Sequence, residues 1–483
     1  MGILRRIRQR SFLLGLLSLA WLLLRSGAKP SRINYPCQQA AKANVHASAA
    51  LVIAPVIAAT HMGERRLNSK WIATALILLA AFAVGYPLLK PQEPSPGITG
   101  TELFPLTPYK SEIPTSSIYA VNGYTGKNGG LFILLDLMGE NGTPFYRSGS
   151  TGRNRGPSGL IAADDVIIIK VNSQWSERGG TNTDLLKELI TLILAHPDGF
   201  NGEVIIADNG QAQYGSGGQG GNLNWEQSNA EDRTQSVLRV AAGFTSSRVS
   251  TFQWDTITTT RVNEYSEGDD GNGYVVEEGR DLETGLIVSY PKFSTKYDTR
   301  ISFKLGVWDP VKGQYDSDHL KVINLPVLKT HSGYGVTGAV KNYMGVPSDK
   351  LTAALGSRTH NTIASGAMGT LMVETRFPTL TILDCIWVNA VPRSGPSTSY
   401  SQATRVNIVA ASLDPVALDY WASRNILMKA TPVGADTSSM DPDYRVAGSF
   451  GDWLRRSAEE MSIVGYPAEL NASRVSVHIT TIS

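Results

Sequence analysis

Beyond residue 110 the chain alternates short apolar runs with stretches of helical periodicity. Residues 165–171 (DVIIIKV) and 202–208 (GEVIIAD) are nearly continuous apolar runs bounded by polar residues, the pattern of strands buried on both faces. Between them, residues 183–195 place Leu185, Leu186, Leu189, Leu192 and Ile193 at helical spacing. Asn182 or Thr183 suits the N-cap, and Pro197 lies past the end. Strand, helix and strand in succession predict a right-handed βαβ unit with parallel strands. The rhythm returns at 322–328, 380–386 and 406–412, each read as a strand. A helix opens at Asp414-Pro415, with Asp414 as cap and Pro415 in the first turn, and runs toward Asn425. Residues 474–481 predict a last strand at a sheet edge. The expected fold is α/β, a largely parallel sheet flanked by helices, preceded by N-terminal transmembrane helices.

Three apolar stretches precede this domain, at 11–24, 48–60 and 71–89. A spanning helix needs about 20 apolar residues. The third stretch, 19 residues without a charge, meets that length. The first is short and follows Arg5, Arg6, Arg8 and Arg10, so it reads as a span or as the core of a signal peptide. The second, broken by Pro55, either spans or lies in the interface. Arg65, Arg66 and Lys70 flank the third stretch and belong on the cytoplasmic side. Residues 1–90 are thus expected to be a membrane anchor with one to three helices. Residues 91–110, rich in proline, form a stiff spacer, and residues 111–483 form a domain outside the cytoplasm. The lipid bilayer is the first expected partner.

Charge sharpens this division. The net charge is +2, yet residues 1–91 carry 12 basic residues against the single acid Glu64, leaving a net −9 beyond them. An acidic body repels phosphate backbones, so nucleic acid is not an expected partner. Cys37 and Cys385 are the two cysteines, too few for a four-cysteine iron–sulfur or zinc site from this chain alone.

In open parallel sheets ligands bind beyond the carboxyl ends of the strands. Polar residues gather at those positions. Lys170, Asn172, Gln174 and Trp175 follow the first strand, and Asp208, Asn209 and Gln211 follow the second. Lys329, His331, Lys341 and Asn342 follow the strand at 322–328. There the lysines supply charge for an anion and His331 a group that exchanges a proton. Residues 338–344 are read as opening a helix whose free N–H groups face that anion. His360 is a possible second imidazole, and Asp208 a ligand carboxylate. Asp419 is placed to orient a base or close a buried pair. The GxGxxG at Gly333, Gly335 and Gly338 begins too far past its strand for a dinucleotide site. Residues 215–222 are a glycine-rich surface loop, and Cys385 a buried, inert thiol.

Several segments together resemble the prokaryotic domain-of-unknown-function family 362. They are Asp165-Val-Ile-Ile-Ile-Lys-Val-Asn, Thr181-Asn-Thr-Asp-Leu-Leu, Ile323-Asn-Leu-Pro-Val-Leu-Lys-Thr-His with Thr337-Gly-Ala-Val-Lys-Asn, Ile382-Leu-Asp-Cys-Ile, and Ala411-Ser-Leu-Asp-Pro-Val-Ala-Leu-Asp. The likeness spans residues 117–427. It singles out Lys170, Asn172, Thr181, Asn182, Lys329, His331, Lys341, Asn342, Asp414 and Asp419 as site residues. Many relatives in that family carry ferredoxin-like cysteine clusters, whereas this chain lacks the cysteines for one.

The expected function is a membrane-anchored enzyme acting on an anionic small molecule. His331, Lys329, Lys341 and Asp419 would form its catalytic group, and Lys170, Asn172, Thr181, Asn182 and Asn342 its substrate contacts. Asp414 and Asp208 are the carboxylates available to a divalent metal. The rival expectations are a non-catalytic surface module for binding or assembly, and a redox component served by a separate iron–sulfur partner.

Overall fold

The computed structural model describes residues 103–211 and 221–482. The three apolar stretches, most of the spacer, and residues 212–220 of the glycine-rich loop lie outside the described residues. Among the described residues no helix is long and apolar enough to cross a membrane. The described end of the spacer holds neither helix nor strand, and Tyr109 makes an isolated bridge to Val477.

In chain order the strands are β1 (Ser116–Asn122), the short pair β2 (Tyr146–Arg147) and β3 (Arg155–Gly156), β4 (Val166–Lys170), β5 (Glu203–Asp208) and β6 (Val249–Gln253). There follow β7 (Gly273–Arg280), β8 (Ile287–Ser294), β9 (Arg300–Ser302), β10 (Gly306–Asp309) and β11 (Gln314–Asp316). The last are β12 (Leu320–Asn324), β13 (Val327–His331), β14 (Gly335–Thr337), β15 (Leu380–Asn389), β16 (Thr404–Ser412) and β17 (Val475–Thr481).

The main sheet runs β17-β1-β16-β15-β12-β4-β5-β6. From β15 to β6 all neighbours are parallel, and β4, the helix Thr183–Leu194 and β5 form the βαβ unit read from the sequence. The other end is mixed. β16 is antiparallel to both β15 and β1, while β17 joins β1 in parallel at the edge.

Alternation across the pleat sorts the apolar residues onto two faces. Ile168, Ile205, Val322, Leu383 and Ile408 pack on one face with residues of the helices Ala367–Glu374, Pro415–Ala422 and Phe450–Ile463. Ile167, Ile169, Ile206, Ile323 and Val409 pack on the other with the helices Gly130–Glu140, Thr183–Leu194 and Val237–Ala242. Double-sided burial is why these strands read as unbroken apolar runs.

Local signals set the helix starts. Asn182 Oδ1 accepts the N–H groups of Asp184 and Leu185, and Asp414 Oδ1 accepts those of Val416 and Ala417. Two expectations need correction. The run at 322–328 is two strands, because Leu325-Pro326 interrupts the ladder and Pro326 has no N–H to donate. β13 then pairs with the far half of β15 and overhangs the carboxyl ends of β12 and β4. The sheet β11-β10-β9-β8-β7 was not anticipated from the apolar pattern. Its strands β9, β10 and β11 are short and partly exposed, while its apolar side, including Tyr290, Phe293 and Ile301, joins the core.

Candidate functional site

The overhang of β13 brings three lysines to one rim of the sheet. Lys170 ends β4 and Asp208 ends β5, and their side chains pair across the ladder with Nζ to Oδ1 at 2.6 Å. Lys170 Nζ also donates to the carbonyl of Val171 at 2.9 Å. Asp208 Oδ2 accepts the N–H and hydroxyl of Ser173 at 2.7 and 2.9 Å. Lys329, fully buried on β13, donates to the carbonyl of Gly179 and to Asn172 Oδ1 at 3.4 Å. Lys341 opens the 3₁₀ turn Lys341–Gly345 and is 6% exposed. Its ammonium lies 5.2 Å from the centre of the Tyr334 ring, and no carboxylate pairs with it among the described residues.

A chain of amides links these groups. Asn342 Nδ2 donates to Asn324 Oδ1 at 2.8 Å, and Asn172 Nδ2 to Asn342 Oδ1 at 3.3 Å. Asn324 in turn donates to the carbonyl of Ala339 at 2.9 Å. Thr181 fixes the loop after β4, its hydroxyl accepting the N–H of Asn172 and donating to the carbonyl of Leu325, both at 2.8 Å. Gly345 is required here, because a Cβ would strike Asp208 Oδ1 and Lys170 Nζ.

Lys170, Asn172, Gln174, Trp175, Asp208, Lys329, Thr337, Lys341, Asn342 and Gly345 line one narrow cleft, with Asn209, Gln211 and Pro396. Its free space is about 10 Å³ for the centre of a water molecule, room for roughly one water. Two buried donors on residues that line it, Trp175 Nε1 and Thr337 Oγ1, have no hydrogen-bond partner among the described residues.

Burial dominates the electrostatics. It drives Lys341 down to about 7, with Lys170 adding a smaller push. Lys329 is held well below the usual lysine range by burial and then by Lys341, against the pull of Asp208 and Asp384. Burial lowers Lys170 and raises Asp208, while each supports the charged form of the other. The cleft therefore gathers three amines and several neutral donors around one carboxylate. Such a site favours an anion.

The remaining sequence-singled residues stand elsewhere. His331 ends β13, where its Nδ1 accepts the N–H groups of Gly333 and Tyr334 at 3.0 and 3.2 Å. Its ring and that of Tyr334 are 5.1 Å apart. Burial, then the nearby Lys341, His360 and Lys329, holds its imidazole well below the usual histidine range. Asp419 is buried under residues 338–340, accepting the N–H groups of Ala339 and Val340. The expected helix opening toward an anion is thereby corrected: those free N–H groups are taken by a carboxylate of this chain, and only the 3₁₀ turn follows. Asp414 caps its helix and also accepts from Ser116 Oγ and the N–H of Glu469. Asn182 caps its helix while its own N–H donates to Asp384 at 2.9 Å. Asp414 and Asp208 are not brought together, and among the described residues no group of three or more His, Cys, Asp or Glu is arranged to hold a metal ion.

The sequence-profile for the family described as "Domain of unknown function (DUF362)" matches residues 313–424. The chain resembles DUF362. No curated protein and no solved structure matches the chain. The DUF362-like stretch supplies Lys329, Thr337, Lys341, Asn342 and Gly345, while Lys170, Asn172, Trp175, Thr181 and Asp208 come from before it. The cleft thus joins the matched stretch to the preceding βαβ unit.

Sequence reasoning placed Trp175 beyond the first strand without giving it a role, and gave none to Thr337, which ends β14. It also passed over Asn324, whose signal was a lone amide within the apolar run 322–328. The pair Asp349–His360 (Oδ2 to Nδ1, 3.1 Å) was not foreseen either, since the partners come from separate helices.

Proposed function

We propose that this protein is an enzyme acting on a small anionic molecule. Lys170 and Lys329 draw in the anion, Asn172 and Asn342 orient it, and Lys341 is the reactive group. The observation that carries this reading is the convergence of three buried lysines on one cleft where the carboxylate of Asp208 pairs with Lys170 alone. Buried positive charge without counter-charge is unfavourable, and a bound anion relieves it. The role first assigned to His331 passes to Lys341, because the His331 ring is engaged by its own turn and does not line the cleft. We further infer that residues 71–89 anchor the protein and that the α/β domain works outside the cytoplasm, on the length of that stretch and its basic flank.

The small free volume favours a second reading, a non-catalytic module that captures an anion without turning it over.

The test is unfolding of the full chain in detergent with phosphate, sulfate and a panel of small mono- and dicarboxylates. A binding anion at 100 times its Kd adds about 2.7 kcal/mol of stability. Lys329→Met and Lys341→Met should remove that gain. If no anion stabilises the protein, the reading falls. Stabilisation without turnover of the bound compound selects the capture module.

A further inference from the structure

The three lysines of the cleft are not equivalent. Lys170 is paired with Asp208 and hydrogen-bonded to the carbonyl of Val171. Lys329 is hydrogen-bonded to the carbonyl of Gly179 and to Asn172. Lys341 lines the same cleft, nine-tenths or more buried, and its amine has neither a hydrogen-bond acceptor nor an acid among the described residues. The centre of the Tyr334 ring lies 5.2 Å from the nitrogen, and that face donates no hydrogen bond to its lone pair, which leaves the lone pair unclaimed among the described residues. A lysine desolvated beside other cations is the arrangement that makes an amine nucleophilic at neutral pH.

We propose that Lys341 forms a Schiff base with a small 2-oxo acid whose carboxylate is held by Lys170 and Lys329. This rests on the anion-site reading above and names its substrate class. A 2-oxo acid places its carbonyl carbon one bond from its carboxylate, so both groups meet amines lining one narrow cleft. The cleft as it stands holds about one water, so the carboxylate and carbonyl enter only as the side chains that line it move apart, and the rest of the acid projects outward. The unpartnered Trp175 Nε1 and Thr337 Oγ1 are donors suited to the carbonyl oxygen as it gains charge.

In the step itself, the Lys341 lone pair forms a C–N bond as the carbonyl π pair moves to oxygen. The two N–H protons of the neutral amine then leave with that oxygen as water, giving the imine. No oxidant or reductant is consumed. Protonation of the imine by solvent gives the iminium. The lowered basicity of Lys341 agrees with this role, since part of the amine is neutral near pH 7.

The experiment treats the full chain with sodium borohydride in the presence of glyoxylate, pyruvate or 2-oxoglutarate, followed by peptide mass mapping. A reduced adduct is expected on the Lys341 peptide with at least one of the three, and its loss in both Lys341→Arg and Lys341→Met. A companion measurement uses formaldehyde and cyanoborohydride at pH 7, where Lys341 should be methylated at least about tenfold faster than surface lysines. Absence of an adduct at Lys341 with all three acids, or methylation no faster than at the surface, overturns the proposal. If anions still stabilise the protein in that case, the anion site stands and the covalent step alone is lost. If they do not, both fall.

Discussion

Asp419 Oδ1 accepts the backbone N–H of Ala339 at 2.6 Å, and Oδ2 accepts that of Val340 at 2.9 Å. The contact needs Gly338, because a Cβ there would run into Asp419 Oδ1. This clamp lies immediately before Lys341 and Asn342, so Asp419 positions the cleft without entering it.

Asp419→Ala should therefore cost about 2–5 kcal/mol, as two buried N–H groups lose their acceptor. Asp419→Asn, which keeps one acceptor, should cost less. Urea unfolding checks the order. Equal costs for the two variants would contradict the clamp.

Gly345→Ala places a methyl group against the Lys170–Asp208 pair. The expected loss is about 1–3 kcal/mol, with a matching loss of anion-dependent stabilisation. A neutral result in thermal unfolding would show that the turn has slack.

Lys170→Met leaves Asp208 buried without its counter-charge, at a cost of about 3–5 kcal/mol. Lys170→Met with Asp208→Asn should recover part of this, because no unpaired charge remains. A double-mutant cycle reads the coupling, and a strictly additive double variant would contradict the pairing.

Burial lowers Lys341 to about 7 in the folded chain, against about 10.4 in an unfolded one. Between those values the unfolded state binds the extra proton, so stability rises with pH. Below about 7 both states are protonated and this contribution levels off. Lys341→Met should flatten the rise from pH 7 to 10. Parallel pH profiles for the two proteins would refute the assignment.

Much of the framework was legible in the chain. Runs such as Val166–Lys170 and Glu203–Asp208 announce strands buried on both faces. Asn182 and Asp414 announce helix starts, because a cap acts within one turn of its own residue. Residues at strand ends were legible as a group, since the rim of a parallel sheet follows from strand direction. Their division of labour was not. Lys329 and Gly179 are 150 positions apart, yet their contact separates an anchored lysine from Lys341, which has no such acceptor among the described residues. His331, read as the proton carrier, has its Nδ1 engaged by the N–H groups of Gly333 and Tyr334, a contact that strand periodicity does not reveal.

The sequence by itself determined where strands and helices begin, which residues crowd the rim, and the likeness to one family. Tertiary structure decided which amine is left without a partner among the described residues, which carboxylate clamps a loop, and how narrow the cleft is. Periodicity and capping act between neighbours in the chain, whereas desolvation and ion pairing depend on residues that meet only when the sheet is assembled.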